Sequence, residues 1–581
     1  MKNFFRSILI TSIGFITSFF FILIFSLILI AIISPKEKNE LKNNSILHLK
    51  FDQTITDQNK EEDFSFNLNG LNTKGNSLEN ILQAIENAKT DDKIVGIFLE
   101  PSIVNTGIAT ANEIRNKLQE FKNETKKFII SYSEIYSQKA YYISSVSNNI
   151  YMHPEGMLDL RGLSYNGLFF TEALERIGVE PQIIRHGKFK SAIEPFTRTN
   201  MSEENKKQTK SYMNDLWNNM LMEISESRNM NFKDLNKYSE NYTLQSSYDA
   251  KKMMLIDSNI YKDQIINILK IKTNDTNNLN LIKISKYINY NRQNIKKEYK
   301  NIEKNKIAVL YASGDIVGGE DKNKISSEQY SKIIREIRKN KKIKALVIRI
   351  NSPGGSALAS ETILREIILT KKEKPVIVSM GDIAASGGYY IACYADTIVC
   401  NPTTITGSIG VFGMMFNAKN MLNNKLGIYT DTVKTGEYAD MMSIFRPMSN
   451  KEKEFIQKQI EKTYDTFITH VSKGRKIDKK TVNKIAQGRV WSGKMAKEIG
   501  LIDVLGGLET AINIASEISN IDNYEITSYP KQQNTLAQLT TLIESKNINK
   551  EYLNFNYENI IHEINKIDKI QARMPYNFFI N

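Results

Sequence analysis

Cysteine is almost missing from these 581 residues, with only Cys393 and Cys400 present. Neither a disulfide framework nor a cysteine-ligated metal site can be built from two. Histidine is nearly as scarce. His48, His153, His186, His470 and His562 are scattered without ligand spacing, so no metal and no other cofactor is expected. Arg-rich patches, zinc-finger spacings and aromatic RNA-binding motifs are missing too. The net charge of +14 therefore predicts no nucleic-acid partner, because the lysines are spread among Asn and Ile along the whole chain.

Charge is missing altogether from residues 7–34, SILITSIGFITSFFFILIFSLILIAIIS. Such a run can cross a hydrocarbon core of about 30 Å. A signal peptide has a shorter apolar region and a small-x-small cleavage site, so an uncleaved transmembrane anchor is expected. Lys2 and Arg6 precede the run, and Lys36, Glu37, Lys38 and Glu40 follow it with mixed signs. The positive-inside rule then leaves residues 1–6 in the cytoplasm and everything after residue 35 on the far side of the membrane.

What the sequence does contain is a repeat. The chain is too long for one core. Ser77 opens a predicted helix over 77–90, followed by a buried strand at Ile94–Leu99, a helix (109–122), a strand (127–131) and a helix (138–146). The order returns from residue 306: a strand at Ile307–Tyr311, a helix (327–340), a strand at Ala345–Ile350, a helix (357–369), a strand (375–379) and a last helix. Ile129-Ile130-Ser131 matches Ile377-Val378-Ser379, and Tyr141-Tyr142-Ile143 matches Tyr389-Tyr390-Ile391, at one offset of 248. Leu255-Ile256-Asp257 likewise matches Leu501-Ile502-Asp503. Strands alternating with helices predict parallel sheets with right-handed crossovers. The expected order is the anchor, an N-terminal α/β repeat (35–257), a Lys/Asn-rich linker (258–305), a C-terminal α/β repeat (306–530) and a tail (531–581) without a predicted place.

Chemistry concentrates in the second repeat. Met380-Gly381-Asp382-Ile383-Ala384-Ala385-Ser386-Gly387-Gly388 puts a serine at a strand-to-helix turn, where glycines let other backbone come close. Upstream, Asn351-Ser352-Pro353-Gly354-Gly355-Ser356 also links a strand to a helix. An N–H of Gly354 or Gly355 and the N–H of Gly387 can together stabilise an oxyanion. In the first repeat Gln138 stands at the place of Ser386, and Lys139 and Ala140 replace the two glycines. Conversely, Gly187-Lys188-Phe189-Lys190-Ser191 of the first repeat faces Gly436-Glu437-Tyr438-Ala439-Asp440 of the second. A serine hydroxyl needs a base, no histidine lies near Ser386, and a neutral lysine is an alternative. Lys188 and Lys190 both qualify, since alternation in an extended segment puts them on one side. Lys190 faces Ala439, whereas Lys188 faces Glu437.

The three co-linear motifs, the third being Thr406-Gly407-Ser408-Ile409-Gly410, resemble those of the signal peptide peptidase A family in its long, double-domain form. That resemblance implies two tandem domains of the Clp protease/crotonase type, with Ser386 as nucleophile, Lys190 as general base and Ser408 orienting the lysine. It also implies a homotetramer in the inner (plasma) membrane, with its catalytic body on the periplasmic side, degrading remnant signal peptides. Met380, Met414, Met415, Met441 and Met442 around the motifs suit hydrophobic peptide substrates. The competing readings are a crotonase-like acyl-CoA enzyme and an inactive membrane scaffold.

Overall fold

The structure is a computed structural model describing residues 11–15, 17–22, 25–26, 41–58, 77–275, 277–298, 305–531 and 570–574. Most of the expected anchor lies outside the described residues. Those of its residues that are described are helical and exposed, and among the described residues no helix is long and apolar enough to cross a membrane.

Strands are numbered along the chain. The first half contains β1 (Ser45–Lys50), β2 (Ile94–Glu100), β3 (Phe128–Tyr136), β4 (Asn149–Leu158), β5 (Glu180–His186), β6 (Ser258–Asn259) and β7 (Leu281–Lys283). All but β5 form one sheet in the order β6-β4-β3-β2-β1-β7, parallel throughout. In the second half come β8 (Asn305–Ser313), β9 (Ile316–Val317), β10 (Ile325–Ser326), β11 (Ile343–Ser352), β12 (Gly354–Ser356) and β13 (Val376–Ala385). They are followed by β14 (Thr397–Cys400), β15 (Ile405–Gly407), β16 (Val411–Asn417), β17 (Val490–Ser492), β18 (Val504–Leu505), β19 (Tyr524–Tyr529) and β20 (Ile570–Arg573). The second sheet runs β17-β15-β13-β11-β8-β19, with β14 beside β13 and β18 beside β14.

Local sequence explains these elements. In β11 the run from Ala345 to Ile350 is buried residue after residue, as expected of a parallel strand covered on both faces. The helix Ser327–Lys339 turns Tyr330, Ile334 and Ile337 inward, an apolar stripe at helical spacing. Ser77 caps the helix Leu78–Thr90 by accepting from the Asn80 N–H.

The repeat is physical. Tyr141 Oη donates to Leu255 O at 2.7 Å, and Tyr389 Oη donates to Leu501 O at the same distance. Asp257 accepts from the Ile150 N–H, and Asp503 accepts from the Ile398 N–H. This correspondence continues into the stretch whose composition predicts a linker. Residues 258–298 are not a bridge: β6, the helix Lys262–Lys272 and β7 repeat β18, the helix Leu508–Ile518 and β19. β7 pairs with β1 as β19 pairs with β8, and Ile284, Tyr287 and Ile288 are buried in the first half's core. Lysine and asparagine on the exposed faces hide the few apolar positions that do this.

Buried charge joins the halves. Arg349 of β11 is fully buried, and it reaches Asp57 at 2.8 Å and Glu113 at 2.6 Å, both from the first half. Glu113 also accepts from the Leu508 N–H. Asp382 of β13 accepts from the N–H and hydroxyl of Thr110, at 3.0 and 2.7 Å. Removing one partner of such a cluster leaves uncompensated buried charge. Arg349→Ala should therefore cost about 3–5 kcal/mol, measured as the loss in denaturant-unfolding stability of the two halves together.

Candidate active site

A third sheet, β10-β9-β12-β20-β16-β5, brings the halves together. β5 leaves the first half and pairs antiparallel with β16 of the second over its whole length, from Val411 opposite His186 to Asn417 opposite Glu180. The chain turns directly after β5 and delivers Lys190. The turn breaks the alternation that would put both lysines on one side. Lys188 is exposed, while Lys190 is fully buried.

Lys190 is clamped by backbone. The Phe189 N–H donates to Gln487 O at 2.9 Å. A Cβ on Gly488 would lie 2.7 Å from Lys190 Cα, and the φ of Gly488 is +78°; both features require glycine. Gln208 ties the turn down by donating to Phe189 O and Ser191 Oγ, and it accepts from the Val490 N–H. Glu194 is not a partner of Lys190, because it accepts from Ser202 and Asn205.

Ser386 directly follows β13 and stands at the N-cap position of the helix Gly387–Ala392, without a side-chain capping bond. Its φ of 56° and ψ of −113° are strained for a residue with a side chain. The Ser386 N–H donates to Gly407 O at 2.8 Å, which holds the turn. Lys190 Nζ lies 2.8 Å from Ser386 Oγ, 3.1 Å from Ser408 O and 3.2 Å from Ser408 Oγ. All three residues are fully buried. Burial alone pushes the Lys190 ammonium well below the usual lysine range, with no carboxylate to counter it.

The glycine turn of 353–356 packs beside this pair. A Cβ on Gly354, whose φ is +101°, would lie 2.6 Å from the Gly387 nitrogen. The Gly354 N–H donates to Ser352 Oγ at 3.1 Å. A cavity of about 620 Å³ adjoins the turn, lined by Leu358, Tyr390, Met415, Met442 and Ile456 among others. Of the five methionines in the sequence motifs, Met415 and Met442 reach it, while Met380 is core.

Sequence reasoning brings Ser386, Lys190, Ser408, Gly354, Gly355 and Gly387 to one place. It misses Gln208, Gln487 and Gly488, which fix the lysine's backbone. Gly488 was the single local signal among them, standing in an otherwise unremarked Gln-Gly-Arg turn.

Comparison with known proteins finds relatives over most of the chain. The sequence model of Peptidase family S49 matches twice, over residues 120–275 and 368–522. The chain is 35% identical to Protease 4 of Haemophilus influenzae over 518 residues, covering 85% of this chain and 83% of that protein. It is 33% identical to Protease 4 of Salmonella typhi, covering 79% of this chain and 75% of that one. A plant relative, the chloroplastic serine protease SPPA of Arabidopsis thaliana, is 33% identical and covers 92% of this chain and 78% of its own. With a doubled family match and relatives matched over three quarters or more of their length, the chain belongs to peptidase family S49 and is a serine peptidase.

Proposed function

We propose that Ser386 is the nucleophile and Lys190 its general base, with Ser408 orienting the amine. The observation that carries this is the 2.8 Å contact between two fully buried groups, Lys190 Nζ and Ser386 Oγ. A lysine kept neutral by desolvation can take the hydroxyl proton as Oγ attacks a peptide carbonyl. The same amine then returns the proton to the departing amide nitrogen, and later activates the water that hydrolyses the acyl-serine ester. The N–H groups of Gly387 and Gly355 receive the oxyanion. Gly355 is preferred to Gly354, whose N–H already donates to Ser352.

The substrates are extended hydrophobic peptides, including signal peptides left in the membrane. Support comes from the apolar part of the cavity beside the glycine turn, formed by Leu358, Met415, Met442 and Ile456, and from a relative in Enterococcus faecium named as a putative signal peptide peptidase. Residues 7–34 anchor the chain in the inner membrane and leave the body on the periplasmic side, as a homotetramer. Each half has the Clp protease/crotonase type of fold, the first supplying the base and the second the nucleophile.

Ser386→Ala should fold normally and lose peptidase activity by several orders of magnitude, and turnover near that of the parent would overturn the assignment. Lys190→Ala should abolish activity while Lys188→Ala keeps most of it; the opposite pattern would move the base.

Two pH profiles follow from the burial of Lys190. Activity as kcat/KM should rise with pH through the depressed lysine pKa and level off well below 10.5. Between that pKa and 10.5 the unfolded chain binds a proton that the folded chain lacks, so this lysine's contribution to stability rises with pH. Lys190→Met should therefore be more stable than the parent near neutral pH, with the advantage shrinking toward pH 10.5. An advantage that does not change with pH would mean that the folded lysine is charged.

For the topology, protease added to spheroplasts should digest the body, whereas protection until lysis would reverse it.

A further inference from the structure

The turn that carries Lys190 rests on a second turn, Gln487-Gly488-Arg489, and that second turn is strained. Gln487 has a φ of 56°, in the left-handed region that disfavours a residue with a Cβ. In this conformation its carbonyl accepts from the Phe189 N–H at 2.9 Å. A Cβ on Gly187, at the other end of the lysine turn, would lie 2.5 Å from the same oxygen. On its far side the strained turn holds the Ser408 segment. The Gly488 N–H donates to Ile409 O at 2.8 Å, and the Ser408 N–H donates to Arg489 O at 2.7 Å. The Lys190 turn and the Ser408 turn are thus bonded to one short piece of backbone.

A phenol holds Gln487 in place. Tyr464 belongs to the helix Asn450–Arg475 and is buried. Its hydroxyl donates to Asn483 Oδ1 at 2.6 Å, which leaves its lone pairs for Gln487. It accepts from the Gln487 N–H at 3.4 Å and from the Gln487 side-chain amide at 3.2 Å. That amide also donates to Asn483 Oδ1 at 2.8 Å, so three residues close a triangle of bonds. The ring of Tyr464 carries a second anchor. His186, the last residue of β5, stacks on it with centroids 3.9 Å apart and planes 27° from parallel. Tyr464 therefore supports the lysine turn at both ends, at His186 by its face and at Phe189 through Gln487.

Charge near this support is confined to its outside. Glu461, on the same helix as Tyr464, acts on His186. Arg489 lays its guanidinium 3.9 Å from the Trp491 ring centre and 5.5 Å from that of Phe189, and Lys188 is exposed. Among the described residues, no charged side chain acts on the Lys190 amine itself. Its state is therefore set by how completely the turn excludes water.

We propose that Tyr464 is a positioning residue for the general base: by holding Gln487 left-handed, it keeps Lys190 Nζ against Ser386 and Ser408 and closed to water. This rests on the Ser386–Lys190 assignment. Among the described residues, none of its hydrogen bonds goes to Ser386, Lys190 or Ser408, so it acts only through the two turns. Freed from the hydroxyl, Gln487 relaxes toward an unstrained φ and its carbonyl leaves Phe189. Water then reaches the amine, and the base is protonated over a wider range of pH.

The test uses the full-length protein and a short apolar reporter peptide. Tyr464→Phe keeps the ring and the His186 stack and removes the three hydroxyl bonds. The acid limb of kcat/KM should move up by about one pH unit, a loss of about tenfold below the limb that vanishes above it. Glycine takes a left-handed φ without help, so adding Gln487→Gly to Tyr464→Phe should bring the limb back toward that of the parent. His186→Ala, which removes the stack, should also move the limb up. His186→Phe, which keeps a ring without a titrating nitrogen, should not; these two variants decide if Tyr464→Phe does not fold. A folded Tyr464→Phe with the parent's limb overturns the proposal. So does a shift that Gln487→Gly leaves in full, or a limb that moves equally in both His186 variants. Lys190→Ala separates this from the base assignment. If it is inactive while Tyr464→Phe keeps the parent's limb, only the support by Tyr464 fails; if it keeps the parent's activity and limb, the base assignment fails as well.

Discussion

A lysine can accept a proton from a serine only if it reaches the serine without one, and this requirement organises the molecule. Water and carboxylates must both be kept from Lys190 Nζ, since either would restore the ammonium. The structure meets the requirement by full burial and by offering the amine neutral partners, a hydroxyl and a carbonyl of Ser408 besides Ser386. Acidic residues are plentiful elsewhere at the junction, where Asp57 and Glu113 hold Arg349. Segregating a charged lock from an uncharged site lets one interface do both jobs. The proposed dyad therefore depends on the two halves staying together.

The halves have diverged in opposite ways around equal scaffolds. At the place of Ser386, Gln138 donates to Gly162 O and accepts from the Arg161 and Gly162 N–H groups. Its amide closes by side-chain bonding the turn that the second half leaves open around its serine. Lys139, at the place of Gly387, extends to Thr106 O, so no backbone corner is free for a substrate carbonyl. In the second half, the stretch facing the Lys190 turn is instead an ion-paired turn, in which Asp440 holds Arg446 and Lys434. A base carried by one half and a nucleophile carried by the other can meet only if a strand crosses over, and β5 is that strand.

Much of this site was legible because its parts are local. A strand, a Ser-Gly-Gly turn and a helix follow one another between residues 376 and 392, and the self-comparison shows which half kept each group. The choice between Lys188 and Lys190 was not settled by alternation, since a turn after β5 breaks the strand before either lysine is reached. Long-range pairing was less legible. Nothing in Glu-Pro-Gln-Ile-Ile-Arg-His announces that β5 leaves its own sheet for the other half's, because an edge partner two hundred residues away leaves no periodicity. The stretch 258–298 misled for a different reason: its apolar residues are interleaved with lysine and asparagine, and that polar composition outweighed them. Arg349 reads as one polar residue within an apolar run, and its two acidic partners lie in segments of ordinary composition.

β20 links the two parts of the third sheet that carry the proposed site. β12 carries the glycine turn, and β16 is the strand to which β5, and through it Lys190, is attached. The two strands meet only through whatever lies between them. β20, bonded to both edges, therefore fixes the distance between the glycine turn and the strand that leads to Lys190.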